Sequence, residues 1–185
     1  RLKTGDCQQL VKTAMEAATA TESERFLQQF YQEHFSQEVI SHELVDLCAD
    51  CRSKAEVLQE IAIKLQLAGR VDNRARFEQA LWKREDDVTT DIGFGLAIPH
   101  CQSEAVRVPS IVVLRLAQPV DWQSKEGLMV DLIVSLAIPA GEKVSQQLAL
   151  LPKLSRKLIH EDFREALRHA QDPGEVVFLL KQATS

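Results

Sequence analysis

His100 closes the string Gly93-Phe94-Gly95-Leu96-Ala97-Ile98-Pro99-His100, a setting suited to group transfer. Imidazole is neutral and nucleophilic near pH 7, and it can accept and return a proton or a phosphoryl group. The proline before it is rigid, and Gly93 and Gly95 let a backbone or a partner approach closely. Reactive groups often sit on a loop held by a sheet, although a plain solvated loop histidine would fit the same residues. Arg84, sixteen residues earlier, carries a guanidinium fork suited to the oxygens of a phosphoryl group. Its neighbours Lys83, Glu85 and Asp86 equally describe a solvated charge run.

Other candidates carry less. Cys48 and Cys51 form a C-x-x-C pair, while Cys7 and Cys101 stand apart. A zinc site needs a second pair or a histidine cluster, so no metal is expected. A redox pair needs a strand-to-helix junction, which these two residues can occupy. The plainer reading is two small residues at the start of a helix in a reduced protein. Gly93 and Gly95 lack the third glycine of a dinucleotide fingerprint, and no G-K-S/T follows, so no cofactor is expected. If the chain moves phosphoryl groups, another protein must bring them. His34, His42, His160 and His169 read as structural or linker residues. Asp131, central in an apolar strand, must emerge from the sheet or find hydrogen-bond partners.

The elements that must hold His100 and Arg84 are visible in the pattern. Apolar residues recur at helical spacing over 8–19 and 22–35. A helix over 54–67 opens on the Ser53/Glu56 capping box and stops at Gly69. Asp72 or Asn73 caps the next, whose apolar positions Phe77, Ala80 and Leu81 lead to the charged end at 83–86. GFGLAIPH reads as a short strand and turn, and residues 110–116 and 128–136 as strands, with Pro119 and Asp121 in a turn between them. A helix over 144–158 carries Pro152, which should kink or restart it. Helices over 161–169 and from an Asp172 cap with Pro173 at its first position complete the chain. The expected fold is α/β: one sandwich domain, a mixed β-sheet flanked by helices, with an N-terminal helical arm.

Composition sets the class. The 185 residues are 45% apolar and 26% charged, which is ordinary for a globular protein. The net charge of -5 arises in residues 1–50, where four Lys/Arg meet nine Asp/Glu; eighteen of each follow. An acidic arm beside a neutral domain does not suit nucleic acid, and no basic amphipathic helix points to a membrane surface. The apolar runs are too short to span a bilayer and no secretory leader is seen, so a cytoplasmic location is expected. Because the chain opens on Arg1, it is expected to be a piece of a longer protein.

GFGLAIPH, the preceding RED, and the following VDLIVSLAIPAGE and LALLPKLSRKL resemble the IIA domain of the fructose/mannitol class of the bacterial sugar phosphotransferase system. The likeness covers about residues 40–182, with domain bounds expected at 1–38 for the arm and 39–185 for the IIA domain. It implies that His100 is phosphorylated and that Arg84 contacts the phosphoryl group. It also implies that the phosphocarrier HPr is the donor, a cysteine of a IIB domain the acceptor, and a membrane IIC domain an indirect partner. Members of this class often carry a second histidine where this chain has Gln147. Glutamine can donate a hydrogen bond to a phosphoryl oxygen but cannot become a cation. The arm, DCQQLVKTAMEAATATESERFLQQF, resembles the last helices of enzyme I, which implies a multiphosphoryl transfer protein as parent. The alternative is a regulatory IIA-like domain of the nitrogen-related branch, which keeps the same histidine motif. A monomer is expected, and the sugar is not encoded here.

Overall fold

A computed structural model describes residues 39–123, 127, 129–141 and 150–184. The chain divides into two units, Arg1–Glu38 and Val39–Ser185. The helices expected over 8–19 and 22–35, and the start of the one over 144–158, lie outside the described residues.

After a short 3-10 turn at His42–Leu44, strand β1 (Val45–Ala49) leads into helices α1 (Lys54–Leu67) and α2 (Arg74–Asp87). Short strands β2 (Leu96–Ala97) and β3 (His100–Ser103) precede the long β4 (Ser110–Asp121) and β5 (Met129–Pro139). Helices α3 (Leu150–Leu158), α4 (Glu161–His169) and α5 (Pro173–Thr184) follow. The helix starts are written in the side chains. Ser53 Oγ accepts the Glu56 amide while the Glu56 carboxylate accepts that of Arg52, and Asp172 and Glu175 repeat the exchange at α5. Asn73, rather than Asp72, caps α2 by accepting the Arg76 amide at 3.0 Å. Pro152 sits within the described helical run of α3, which continues past it to Leu158.

The sheet is mixed, in the order β1-β4-β5-β2, with β3 also on β5. β4 and β5 run antiparallel, and β1 lies parallel to β4. β2 and β3 both pair parallel with β5, at Leu132–Ile133 and at Leu136–Pro139. They are therefore two halves of one interrupted edge strand. Pro99 stands in the interruption, where a residue without an N–H costs the ladder nothing, and its carbonyl accepts Leu136 N at 3.0 Å. His100 is the first residue after the break.

Two features differ from the sequence reading. Neither β1 nor β3 was expected, since VDLCA and HCQS are short and only partly apolar. Pro119 and Asp121 belong to β4 instead of a turn; the ladder shifts register between Arg115 and Val120, which absorbs the proline. The turn starts one residue later, where Asp121 accepts the Gln123 amide at 2.8 Å.

Alternation along the central strands builds two cores. Val112, Leu114 and Ile133 face α1 and α2, packing with Leu58, Ile61, Leu65, Phe77, Leu81 and Trp122. Ile111, Val113, Leu132 and Val134 face the other way, onto Leu154, Leu158, Leu167, Val176 and Leu180 of α3 to α5. Helices thus cover both faces of the sheet, which explains why β4 and β5 read as nearly continuous apolar runs.

Candidate functional site

His100 begins β3 half-buried, with Nδ1 2.8 Å from the Ile98 carbonyl oxygen. A carbonyl only accepts, so Nδ1 must carry the proton and Nε2 keeps its lone pair in the neutral ring. The acceptor lies two residues back, across Pro99, and is available because the strand is interrupted there. Burial holds the imidazole pKa below its ordinary value of 6.5. The Ile98 carbonyl opposes that shift, the Arg84 charge adds to it, and Glu85 opposes it. The ring is therefore a neutral nucleophile at neutral pH, with one defined nitrogen free to react.

Arg84 lies in the last turn of α2, and its Nη1 donates to the Val88 carbonyl at 2.9 Å. That bond ties the guanidinium to the chain leaving the helix, and its charge is felt at His100. The structure brings these two predicted residues into one electrostatic neighbourhood. Gln147 lies outside the described residues.

Glu85 was read as part of a solvated charge run, and the structure corrects this. Its side chain is 1% exposed and accepts the Lys54 ammonium at 2.7 Å and Trp122 Nε1 at 3.0 Å. The same carboxylate accepts the Thr90 amide at 3.2 Å on both oxygens, the Thr89 hydroxyl at 3.2 Å, and the Thr90 hydroxyl. A signal was present in the sequence. Phe77, Leu81 and Glu85 recur every four residues on the buried face of α2, so the carboxylate stands on the apolar stripe.

The loop ahead of the histidine is also tied down. Phe94 has φ +58°, lies exposed between two glycines, and stacks under the Arg164 guanidinium at 4.1 Å. Arg168 donates to the Phe94 carbonyl and pairs with Asp131 at 2.9 Å. Asp131 is thereby satisfied by hydrogen bonds, with a structural partner from α4. His169 Nδ1 lies 2.9 Å from the Glu165 carbonyl within the same helix, and His160 caps α4 by position only.

Among the described cysteines, Cys51 and Cys101 are buried and Cys48 is exposed. Cys48 ends in β1 and Cys51 precedes α1, so the pair does span a strand-to-helix junction, with both thiols free. Burial, with nearby carboxylates, pushes the Cys51 thiol up to about 11, and burial alone pushes Cys101 up to about 12. Neither supplies a thiolate at neutral pH. Among the described residues no His/Cys/Asp/Glu group is placed to hold a metal ion, and no helix is long and apolar enough to cross a membrane.

Comparison with known proteins places this geometry. Residues 38–183 match the family described as phosphoenolpyruvate-dependent sugar phosphotransferase system, EIIA 2. The chain belongs to this family. Multiphosphoryl transfer protein 1 of Escherichia coli is 34% identical over 175 residues, covering 95% of this chain and 21% of that protein. Such a match must reach well into the segment before residue 38. The chain thus spans about a fifth of the length of the multiphosphoryl relatives it matches. A fructose-specific EIIA component of Haloferax volcanii is 36% identical, covering 69% of this chain and 80% of that one. Among solved structures, the nitrogen regulatory protein IIA-Ntr of Neisseria meningitidis superposes with a TM-score of 0.71 at 26% identity, over 78% of this chain and 98% of that one. The EIIA 2 domain is a phosphoryl-relay component of the phosphotransferase system, and the mixed sheet between helix layers is its fold.

Proposed function

We propose that His100 is the residue phosphorylated in this relay, taking its phosphoryl group from phospho-HPr and passing it to a cysteine of a IIB domain. The observation that carries the reading is the 2.8 Å contact from Nδ1 to the Ile98 carbonyl, which leaves Nε2 as the one nucleophilic nitrogen. Nε2 attacks phosphorus in line as the donor's P–N bond breaks, and the donor imidazole leaves with its electron pair. Phosphorylated at Nε2, the ring keeps its Nδ1 proton and becomes cationic, so the hydrogen bond to Ile98 becomes charge-assisted. On the return step the IIB thiolate attacks phosphorus, the P–Nε2 bond breaks, and His100 is restored neutral. Arg84 would hold the phosphoryl oxygens through both steps, with Gln147 as a neutral second donor. No resident cofactor enters either step. The sugar crosses through a IIC domain, and this domain works in the cytoplasm on residues 39–185, with 1–38 as the tail of a preceding enzyme I-like domain.

The transport reading is favoured over a regulatory one because the multiphosphoryl and fructose-specific relatives are 34–36% identical, against 26% for the nitrogen regulatory protein. Transfer of labelled phosphate from phospho-HPr tests it. His100→Ala should abolish labelling while leaving the circular dichroism spectrum nearly unchanged, because a half-buried edge residue contributes little to folding. Label retained in the variant, or a phosphate stable to acid as a phosphoramidate is not, would defeat the assignment.

A further inference from the structure

We propose that Glu85 is a positioning residue for the phosphoryl acceptor, fixing the tautomer of His100 through Thr90 and Ile98. The inference rests on the reading of His100 as that acceptor. Burying a carboxylate at 1% exposure is costly unless every lone pair is met. Glu85 is met by five donor groups on four residues, Lys54, Trp122, Thr89 and Thr90. Two of these donors, the amide and the hydroxyl, belong to Thr90, which is itself 5% exposed. Thr90 is therefore held by backbone and side chain together. Its carbonyl accepts the Ile98 amide at 2.9 Å, and the Ile98 carbonyl accepts His100 Nδ1 at 2.8 Å. From carboxylate to imidazole the path runs through two residues, Thr90 and Ile98, each held at its amide and bonded onward from its carbonyl, so the coupling is one of position.

Ile98 lies in the break between β2 and β3, where Thr90 holds its amide, while the ladder holds its neighbours Ala97, paired with Ile133, and Pro99, whose carbonyl accepts the Leu136 amide. The Thr90 bond is the hold on Ile98 itself that Glu85 reaches. Glu85 further shares the last turn of α2 with Arg84, so one buried carboxylate fixes the departure point of the guanidinium and the tautomer of the imidazole.

Glu85→Gln is a severe change at this site despite equal size. Lys54, Trp122 and the Thr90 amide can only donate, so a glutamine keeps their bonds on one oxygen at most, turns its NH2 onto a threonine hydroxyl that must then accept, and leaves the buried Lys54 ammonium without its counter-charge. Thr90→Val is the milder variant, losing only the hydroxyl bond and keeping the shape. Thr90→Ser keeps the hydroxyl. In the full chain, the ¹⁵N shifts of the His100 ring, assigned by their loss in His100→Ala, report which nitrogen carries the proton, with no phosphoryl donor required. The wild type and Thr90→Ser should show a pyrrole-type Nδ1 and a pyridine-type Nε2. Glu85→Gln should move both shifts towards the averaged values of mixed tautomers, and Thr90→Val should do so to a smaller degree. The rate of transfer from phospho-HPr at saturation should fall in the same order, about tenfold or more for Glu85→Gln, with KM nearly unchanged. A wild-type tautomer in folded Glu85→Gln overturns the proposal; if that variant does not fold, a wild-type tautomer in Thr90→Val overturns it. So does a tautomer shift that leaves the rate untouched. Failure of His100 as acceptor would instead appear as label retained in His100→Ala, whatever the ring shifts show.

Discussion

At the residue scale, the chemistry of His100 is decided by two opposed pulls on one proton. Burial favours the neutral ring and places the folded-state pKa below 6.5, and Arg84 adds to this against the Ile98 carbonyl and Glu85. An unfolded chain binds the proton more readily in that interval, so this contribution to stability is complete above pH 6.5 and is lost as pH falls through the folded pKa. The same interval governs reactivity, since the neutral ring is the nucleophile. Acceptance from phospho-HPr should be nearly flat from about pH 8 down to the free-imidazole value, and fall only below it. An NMR titration of His100 alongside the rate profile checks this; a midpoint at or above 6.5 contradicts the burial account. Arg84 and Gln147 should differ in the size of their loss. Charge-assisted hydrogen bonds are roughly twice as strong as neutral ones. Arg84→Gln should therefore slow transfer by roughly 2–4 kcal/mol of barrier, more than Gln147→Ala does. Gln147→His, by adding a group that can become cationic, should make the rate more pH-dependent between about pH 6 and 8. Equal losses for Arg84→Gln and Gln147→Ala, measured in single-turnover transfer, would refute that division. Residue type made His100 and Arg84 candidates, and the resemblance to the IIA family gave them their proposed roles. Ile98 could not be singled out that way, since its contribution is a carbonyl, which every residue has.

At the scale of elements, what the sequence made plain is what local rules decide. The caps at Ser53, Asn73 and Asp172 and the apolar stripes of α1 and α5 are local, and the structure has them where the pattern puts them. β1 and β3 are not local. Four or five residues of mixed polarity become strands only because β4 and β5 offer edges to pair with, and no periodicity records that. Pro119 misled for a related reason: a proline within a strand is tolerated at a register shift, which is a property of the pair rather than of the residue. The loop before β2 shows how such tertiary demands fix a residue type. Gly95 has φ +73°, and a Cβ there would lie 2.8 Å from Asp131 Oδ1 and 3.0 Å from Arg168 Nη2. The carboxylate cannot simply swing away, because Arg168 holds it while also donating to the Phe94 carbonyl. Gly95→Ala should thus combine backbone strain with a loosened ion pair and destabilise the fold by about 2–3 kcal/mol. Urea unfolding measures this, and a loss under about 0.5 kcal/mol would mean that the loop yields without cost.

At the scale of the molecule, the question is which part of the chain suffices for folding and transfer. Both faces of the sheet are covered by helices drawn from residues 54–184, and among the described residues the two cores draw on residues 39–183, including Val39, Ile40 and Leu44. His100, Arg84, Ile98, Thr90 and Glu85 all lie there too, connected by bonds that involve no residue before 39. Residues 1–38 carry few large apolar residues, too few to close a core alone. The family match starts at residue 38, whereas the multiphosphoryl relatives match further upstream. Deleting residues 1–36 should therefore leave a cooperatively folded domain that still accepts phosphate from phospho-HPr. Its urea midpoint should lie close to that of the full chain, and its m-value should fall only by the surface the arm exposes on unfolding. The two readouts separate the ways this can fail. A midpoint shifted far down means that the arm closes part of the core. An unchanged midpoint with lost transfer means that the arm contributes to docking of the donor, and the boundary of the functional unit then lies upstream of the boundary of the fold.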